Sequence, residues 1–210
     1  MDKRIHWVDI AKGLLILMVV WGHVNYVSGR VLGKACFADV ERTTSLYFPW
    51  YMAAFFCITG YCTNYRNPFL IFFKEKFKSL IIPNVLLGSM LFVPQSIMLG
   101  QPLESVIDGC ISNIFLYGGS YWFLTALFIS DIIFYWILRL TDKRLLQLLI
   151  LGILYLIGTV SFVYHVPNLM NFENAFALTG CLFFGMFFKQ NNKFISDKRW
   201  ALAIGGGQSL

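Results

Sequence analysis

The chain has 210 residues, of which 58% are hydrophobic and only 13% are charged. Soluble globular proteins are about 45–50% apolar and about 25% charged, so this composition excludes a soluble globular domain and indicates an integral membrane protein. In a membrane protein the formal net charge of +6 informs on function less than the positions of the charges, which indicate the orientation in the membrane. We expect the lipid bilayer as a partner and no nucleic acid.

Six apolar segments approach the length of about 20 residues that a membrane-spanning helix needs. The predicted spans cover residues 7–27, 46–64, 80–99, 121–138, 145–164 and 173–188. A further apolar stretch at 110–117 is predicted to lie in the membrane interface or to re-enter the bilayer. The sequence therefore predicts an all-α fold, a polytopic transmembrane helical bundle.

The last residues indicate an interrupted seventh span. An apolar run begins at Trp200 and breaks off in the glycine-rich tail 205–210. So short a run cannot cross a bilayer, and consecutive glycines disfavour a helix. We therefore expect one membrane domain over residues 1–204, as the N-terminal part of a longer fold. The alternative is a natural six-span protein with a loose tail.

The distribution of basic residues predicts the orientation. With the N-terminus in the cytoplasm, 14 of the 17 Lys and Arg residues lie on the inner side, and only Arg30, Lys34 and Arg42 lie outside. Cytoplasmic loops carry such an excess of basic residues, and the reverse orientation would invert the ratio. We expect a multi-pass protein of the inner (plasma) membrane.

The five cysteines form no close pair such as C-x-x-C, and their number is odd. This spacing argues against a metal site or a disulfide scaffold. A bridge between Cys36 and Cys110, both predicted outside, stays open. We expect neither a bound metal nor a permanent cofactor.

The first predicted span carries ionisable residues on one face. Lys12 and His23 are eleven residues apart, which returns a helix to within about 20° and separates them by about 16 Å. Asp9, Ile16 and Val19 fall on the same stripe. Ionisable groups on a membrane-crossing face indicate a functional site. The alternative is an interfacial ion pair of Asp9 and Lys12, with His23 at the outer headgroup level.

The N-terminal segment resembles the start of a known protein family. The segments Asp9-Ile10-Ala11-Lys12-Gly13 and Val19-Val20-Trp21-Gly22-His23 are similar to the start of acyltransferase family 3, within its fucose 4-O-acetylase-like branch. The family has a basic residue and a histidine at the spacing of Lys12 and His23. Many members carry arginine at the basic position. Lysine keeps the charge but loses bidentate phosphate binding.

Three later stretches resemble the same family in the expected order. They are the second-span pattern at 48–61 (FPWYMAAFFCITGY), the basic run into a proline at 74–83 (KEKFKSLIIP) and the Trp-Phe-Leu signature at 121–128 (YWFLTALF). The resemblance covers residues 4–190. Because family members usually continue with further spans, it also implies that the final spans are missing.

The resemblance implies an enzyme that transfers an acyl group, usually acetyl, from cytoplasmic acyl-CoA to a hydroxyl of a surface carbohydrate or related acceptor. His23 is the implied catalytic residue, either as general base or as transient acyl carrier. The residues expected to bind acyl-CoA or the acceptor are Asp9, Lys12, Lys74, Lys76, Lys78 and Trp122. Basic groups at the inner face attract the phosphates of coenzyme A. The simpler explanations are positive-inside topology for the lysines and an interfacial anchor for Trp122.

Two further features bear on function. Asp131 lies mid-span, so it should face protein or a water-filled cavity, pair with Lys or Arg, or serve a proton path. Thr59, Gly60 and Asn64 are expected to place small groups beside the first helix or to serve as ordinary helix-packing positions. The competing functions are a proton-coupled transporter or flippase that uses Asp9, Lys12, His23 and Asp131, although no internal repeat supports it, and an inactive truncated fragment of the acyltransferase.

Overall fold

The computed structural model describes residues 6–32, 38–112, 121–164, 166 and 171–195, and within these ranges it is helical with no strand. The helices are α1 (His6–Leu32), α2 (Ala38–Cys62), α3 (Phe69–Lys76), α4 (Ile82–Met98), α5 (Leu103–Ile111), α6 (Trp122–Leu140), α7 (Arg144–Val163) and α8 (Phe172–Ile195), with a π-helical turn at Phe77–Ile81 between α3 and α4. The predicted all-α class is confirmed. The glycine-rich tail and the broken seventh span lie outside the described residues.

Three helical segments among the described residues are long and apolar enough to cross a membrane. They are Phe69–Met98, Trp122–Leu140 and Arg144–Val163. The predicted spans 121–138 and 145–164 match α6 and α7 within two residues. The predicted spans 7–27, 46–64 and 173–188 lie within helices or nearly so, but the total of six crossings stays a prediction.

The helical segment that contains the third predicted span begins before the span does. The sequence placed the start of the span at residue 80, whereas α3, the π turn and α4 form one helical segment from Phe69 to Met98. Lysine is a good helix former, so the basic run does not end the helix. The π turn lies just before Pro83, where the Ile82 N–H bonds to the Phe77 carbonyl. A proline ring clashes with the carbonyl four residues earlier, and a π bulge relieves that clash.

Helix α6 lies at the centre of the bundle. Half of the residues in its span are buried, against under a fifth in Phe69–Met98 and in α7. Its inward side chains Ala126, Leu127, Phe134 and Tyr135 form one core with residues of α2, α3, α7 and α8. Most large side chains of α7 are exposed apolar groups, as expected for a helix that faces lipid.

Glycines set the closest contacts of α8. A Cβ at Gly60 of α2 would lie 2.7 Å from the backbone carbonyl carbon of Leu182, and one at Gly185 of α8 would lie 2.8 Å from that of Cys57. A Cβ at Gly158 of α7 would lie 2.6 Å from the Glu173 carbonyl oxygen. Small residues let helix backbones approach this closely in membranes. The packing role considered for Gly60 is therefore confirmed.

Candidate functional site

A buried ionic network joins α6, α3 and the connection that follows α2. The Asp131 side chain, in the middle of α6, is fully buried, and its Oδ2 lies 2.8 Å from the Lys76 Nζ. The Tyr65 hydroxyl donates to Asp131 Oδ1 at 2.8 Å, and Lys76 Nζ donates to Thr63 Oγ1 at 2.7 Å. A buried carboxylate is tolerated when it is paired and hydrogen-bonded in this way. The expected pairing of Asp131 with a basic residue is confirmed.

Aromatic packing orients the tyrosine of this network. The Tyr65 ring meets Phe134 edge-on at 5.0 Å between centroids and lies 5.7 Å from Phe72. Burial raises the pKa of the Tyr65 phenol well above its usual value, and the nearby negative charge of Asp131 raises it further. A raised pKa keeps the phenol protonated at neutral pH, so the hydroxyl remains a donor to the carboxylate.

The same connection is attached to α6 a second time, nearer the end of the helix. The Tyr135 hydroxyl donates to the Asn67 carbonyl at 3.1 Å, and the Arg139 guanidinium donates to the carbonyl of Arg66 at 3.4 Å. The Arg66 N–H donates to the Asn64 side chain at 3.1 Å, which closes a local turn. Residues 65–67 are thus fixed against α6, and Thr63 is fixed against Lys76 of α3.

These residues form one wall of a large cavity. The cavity encloses about 1000 Å³, at the upper end of the about 300–1000 Å³ typical of ligand pockets. Its lining comprises Cys62, Thr63, Asn64, Tyr65, Arg66, Leu138, Arg139, Asp142, Arg144, Gln147, Phe183, Met186, Phe187, Lys189 and Gln190. The wall 62–66 therefore faces the ends of α6 and α8 and the start of α7.

Positive charge dominates the cavity. Arg66, Arg139, Arg144 and Lys189 line it against a single acid, Asp142. The Arg144 guanidinium lies over the Phe187 ring at 5.4 Å and donates to the Gln190 side chain at 3.4 Å. All four cations are solvent-exposed, and a concave site lined by one sign of charge concentrates ligands of the opposite sign. The chemistry of this cavity suits a polyanion.

A comparison with protein families decides the assignment. A family model described as an acyltransferase domain matches residues 5–207. The chain belongs to acyltransferase family 3. No curated protein and no solved structure matches the chain. The family and the apolar helices together support a membrane acyltransferase, as the sequence predicted.

The structure places the family-implied residues Asp9 and Lys12 about one turn apart in the first helix. His23 falls within α1, but its side chain lies outside the described part of the chain. Lys12 is half-buried, on the side of α1 that buries Val8 and Leu15, whereas Asp9 is exposed. The stripe predicted to carry Asp9 and Lys12 together is thus turned partly towards the bundle and partly away from it.

None of the remaining residues predicted to bind acyl-CoA or the acceptor lines the cavity. Lys74 and Lys78 are exposed, whereas Lys76 is half-buried and pairs with Asp131. Trp122 is half-buried at the first turn of α6 and packs against the core. Arg139 lies 17 residues further along α6, so about 25 Å separates Trp122 from the cavity. Among the described residues, no group of three His, Cys, Asp or Glu could hold a metal ion.

The sequence singles out Asn64 of the cavity wall, but it does not predict the four cations of the cavity as a binding site. In the sequence, Arg139, Arg144 and Lys189 serve only to predict which side of the membrane is cytoplasmic. Arg66 is there part of a basic stretch. A usable signal was present: each lies at or beside a helix end predicted to face the cytoplasm. Charges at the same end of several packed helices can converge on one site.

Proposed function

We propose that the protein is an integral membrane O-acyltransferase that uses cytoplasmic acyl-CoA, with acetyl-CoA the first choice, to acylate a hydroxyl group of a surface carbohydrate or related acceptor. Family membership supports the reaction type. The observation that supports the donor is the cation-lined cavity at the ends of α6, α7 and α8. The positive-inside distribution predicts that this end faces the cytoplasm, where acyl-CoA is found.

The cavity matches the chemistry of coenzyme A. The phosphate groups of the donor would meet the guanidinium groups of Arg66, Arg139 and Arg144 and the ammonium group of Lys189. Arginine binds phosphate in a bidentate fashion, and such charge-assisted hydrogen bonds are stronger than neutral ones. Lys12, Lys74 and Lys78 are proposed to attract the donor to this side of the membrane, as the sequence suggested.

The proposed reaction is a direct or a two-step acyl transfer. The acceptor hydroxyl oxygen attacks the thioester carbonyl carbon, the C–O ester bond forms, and the C–S bond breaks. His23 takes the hydroxyl proton and returns it to the coenzyme A thiolate, or the imidazole carries the acyl group between the two steps. Trp122, about 25 Å from the cavity along α6, is proposed to act on the acceptor side.

The transporter alternative receives no specific support. It uses Asp131 as a proton carrier, whereas the carboxylate is held by Lys76 and Tyr65. These two contacts give the buried carboxylate a structural role that needs no proton transfer.

We expect Arg144→Gln to weaken coenzyme A binding by about tenfold or more, because a hydrogen bond to a charged group contributes about 1.5–3 kcal/mol and about 1.4 kcal/mol is tenfold. Lys143→Gln is the matched control: it removes the same charge from the neighbouring residue, which is exposed and does not line the cavity. Equilibrium dialysis of labelled acetyl-CoA against the purified protein in lipid nanodiscs measures both affinities.

The two variants separate local contact from overall charge. An equal loss of affinity in both would mean that the net charge of this end, and not the cavity, attracts the donor. No binding of acetyl-CoA by the unmodified protein would contradict the proposed donor itself.

A further inference from the structure

The ion pair of Asp131 and Lys76 is not needed to explain the cation-lined cavity, yet it is placed directly behind the cavity wall. Thr63 and Tyr65 line the cavity, and each makes a hydrogen bond to one member of the pair. We propose that Asp131 and Lys76 are positioning residues that hold the wall 62–66 in place and thereby set the affinity for the phosphate-bearing donor. This inference rests on the proposed function.

The ion pair makes two hydrogen bonds to the wall. Lys76 reaches Thr63 at 2.7 Å, immediately after α2 ends at Cys62. Asp131 accepts from Tyr65 at 2.8 Å, two residues further along. One ion pair at 2.8 Å therefore ties two alternate residues of the wall to two different helices.

The wall in turn places a phosphate-binding group. Arg66 follows Tyr65 directly, lines the cavity and is exposed. Its own backbone carbonyl accepts from Arg139 at a longer 3.4 Å. The shorter contacts at Thr63 and Tyr65 thus fix the segment from which the Arg66 side chain projects. Displacement of a binding group by about 1 Å is enough to reduce function strongly.

The inference also explains the different placement of the three lysines of the basic run. Lys74 and Lys78 are exposed, whereas the Lys76 side chain is only 14% exposed and its charge is matched by Asp131. A neutralised ammonium is a weak ligand for phosphate. Lys76 acts on the donor through the wall rather than by touching it.

The first test compares coenzyme A affinity in three variants of the ion pair and one control. Lys76→Met leaves the Asp131 carboxylate buried without its cation, which can unfold the protein. The double variant Lys76→Met with Asp131→Leu removes both charges, a change that is often neutral for stability, while Thr63 and Tyr65 still lose their partners. We expect the double variant to bind labelled acetyl-CoA about tenfold more weakly and Lys76→Arg to stay close to the unmodified protein.

Ser130→Ala is the matched control. Ser130 is fully buried beside Asp131, and its hydroxyl donates to the Ala175 carbonyl of α8 at 2.9 Å. Its loss affects the packing of α6 against α8 without touching the wall. We expect a stability change with unaltered affinity for acetyl-CoA.

A second readout does not depend on the donor. Cys62 is exposed at the start of the wall, so a nitroxide label on this residue, with the other four cysteines replaced by alanine, reports wall mobility by electron spin resonance. The label should become more mobile in the double variant and stay unchanged in Ser130→Ala. Unchanged label mobility together with unchanged affinity in a folded double variant would overturn the inference. If the unmodified protein binds no acetyl-CoA, the proposed function fails, and the label still decides whether the pair holds the wall.

Discussion

Replacement of His23 by alanine should abolish acyl transfer. An imidazole can take a proton from a hydroxyl and return it, and loss of such a general base lowers rates by about 10²–10⁴-fold. Transfer of the labelled acetyl group from acetyl-CoA to the surface glycan measures the effect of His23→Ala. Insertion into the membrane and coenzyme A binding should remain normal, because the cavity cations are untouched.

His6→Ala is the matched control for this prediction. His6 begins the same helix and is exposed, so its loss tests whether any histidine of α1 matters. We expect full activity. Unchanged acetylation in His23→Ala, with His6→Ala also active, would remove the catalytic assignment of the histidine.

A quench experiment separates the two roles considered for His23. A general base leaves no label on the protein when labelled acetyl-CoA is mixed with it and the reaction is stopped rapidly. An acyl carrier leaves acetyl-imidazole, which is labile to hydroxylamine and absent from His23→Ala. Each result selects one mechanism.

Hydropathy predicted the helices whose ends coincide with a change in composition. The apolar run of α6 ends near Arg139, and α7 begins at Arg144, so their bounds were found within two residues. Hydropathy does not predict α3, because the lysines between 74 and 78 interrupt the apolar run. Lysine favours helix once the chain has begun to turn after Pro68, and periodicity alone does not report that.

Only one part of the site can be predicted from the sequence, namely a residue whose type is unusual for its position. Asp131 stood out because an acid in the middle of an apolar span must have a partner. Its partner Lys76 is 55 residues away in the sequence, and only the packing of α3 against α6 selects it from the three lysines. The cavity gathers residues from Cys62 to Gln190. Each cation there is explained by the positive-inside rule alone, so their convergence is indicated only by their common position at predicted cytoplasmic helix ends and not by their spacing.

Replacement of Gly185 by alanine should disrupt the packing of α2 against α8 and lower the free energy of unfolding. Gly180→Ala should be tolerated. A methyl group at Gly185 would meet the Cys57 carbonyl and lie 2.8 Å from the Tyr61 backbone nitrogen, while one at Gly180 meets nothing within 4 Å. Overpacking typically costs about 1–3 kcal/mol, and backbone atoms cannot rotate away as a side chain can, so we expect about 3 kcal/mol or more. Denaturant-induced unfolding in mild detergent compares the two variants.

The opposite sign of the two effects makes this test sharp. Alanine within a helix is about 0.5–1 kcal/mol more favourable than glycine, so Gly180→Ala should stabilise α8 slightly and give a higher unfolding midpoint than the unmodified protein. Gly60→Ala, on the facing helix, should reproduce the loss seen with Gly185→Ala because its methyl would strike the Leu182 carbonyl. Equal midpoints for Gly185→Ala and Gly180→Ala would show that α2 and α8 do not approach each other at these residues. Because Lys189 follows Gly185 by one turn and lines the cavity, a folded fraction of Gly185→Ala should also bind acetyl-CoA more weakly than Gly180→Ala does.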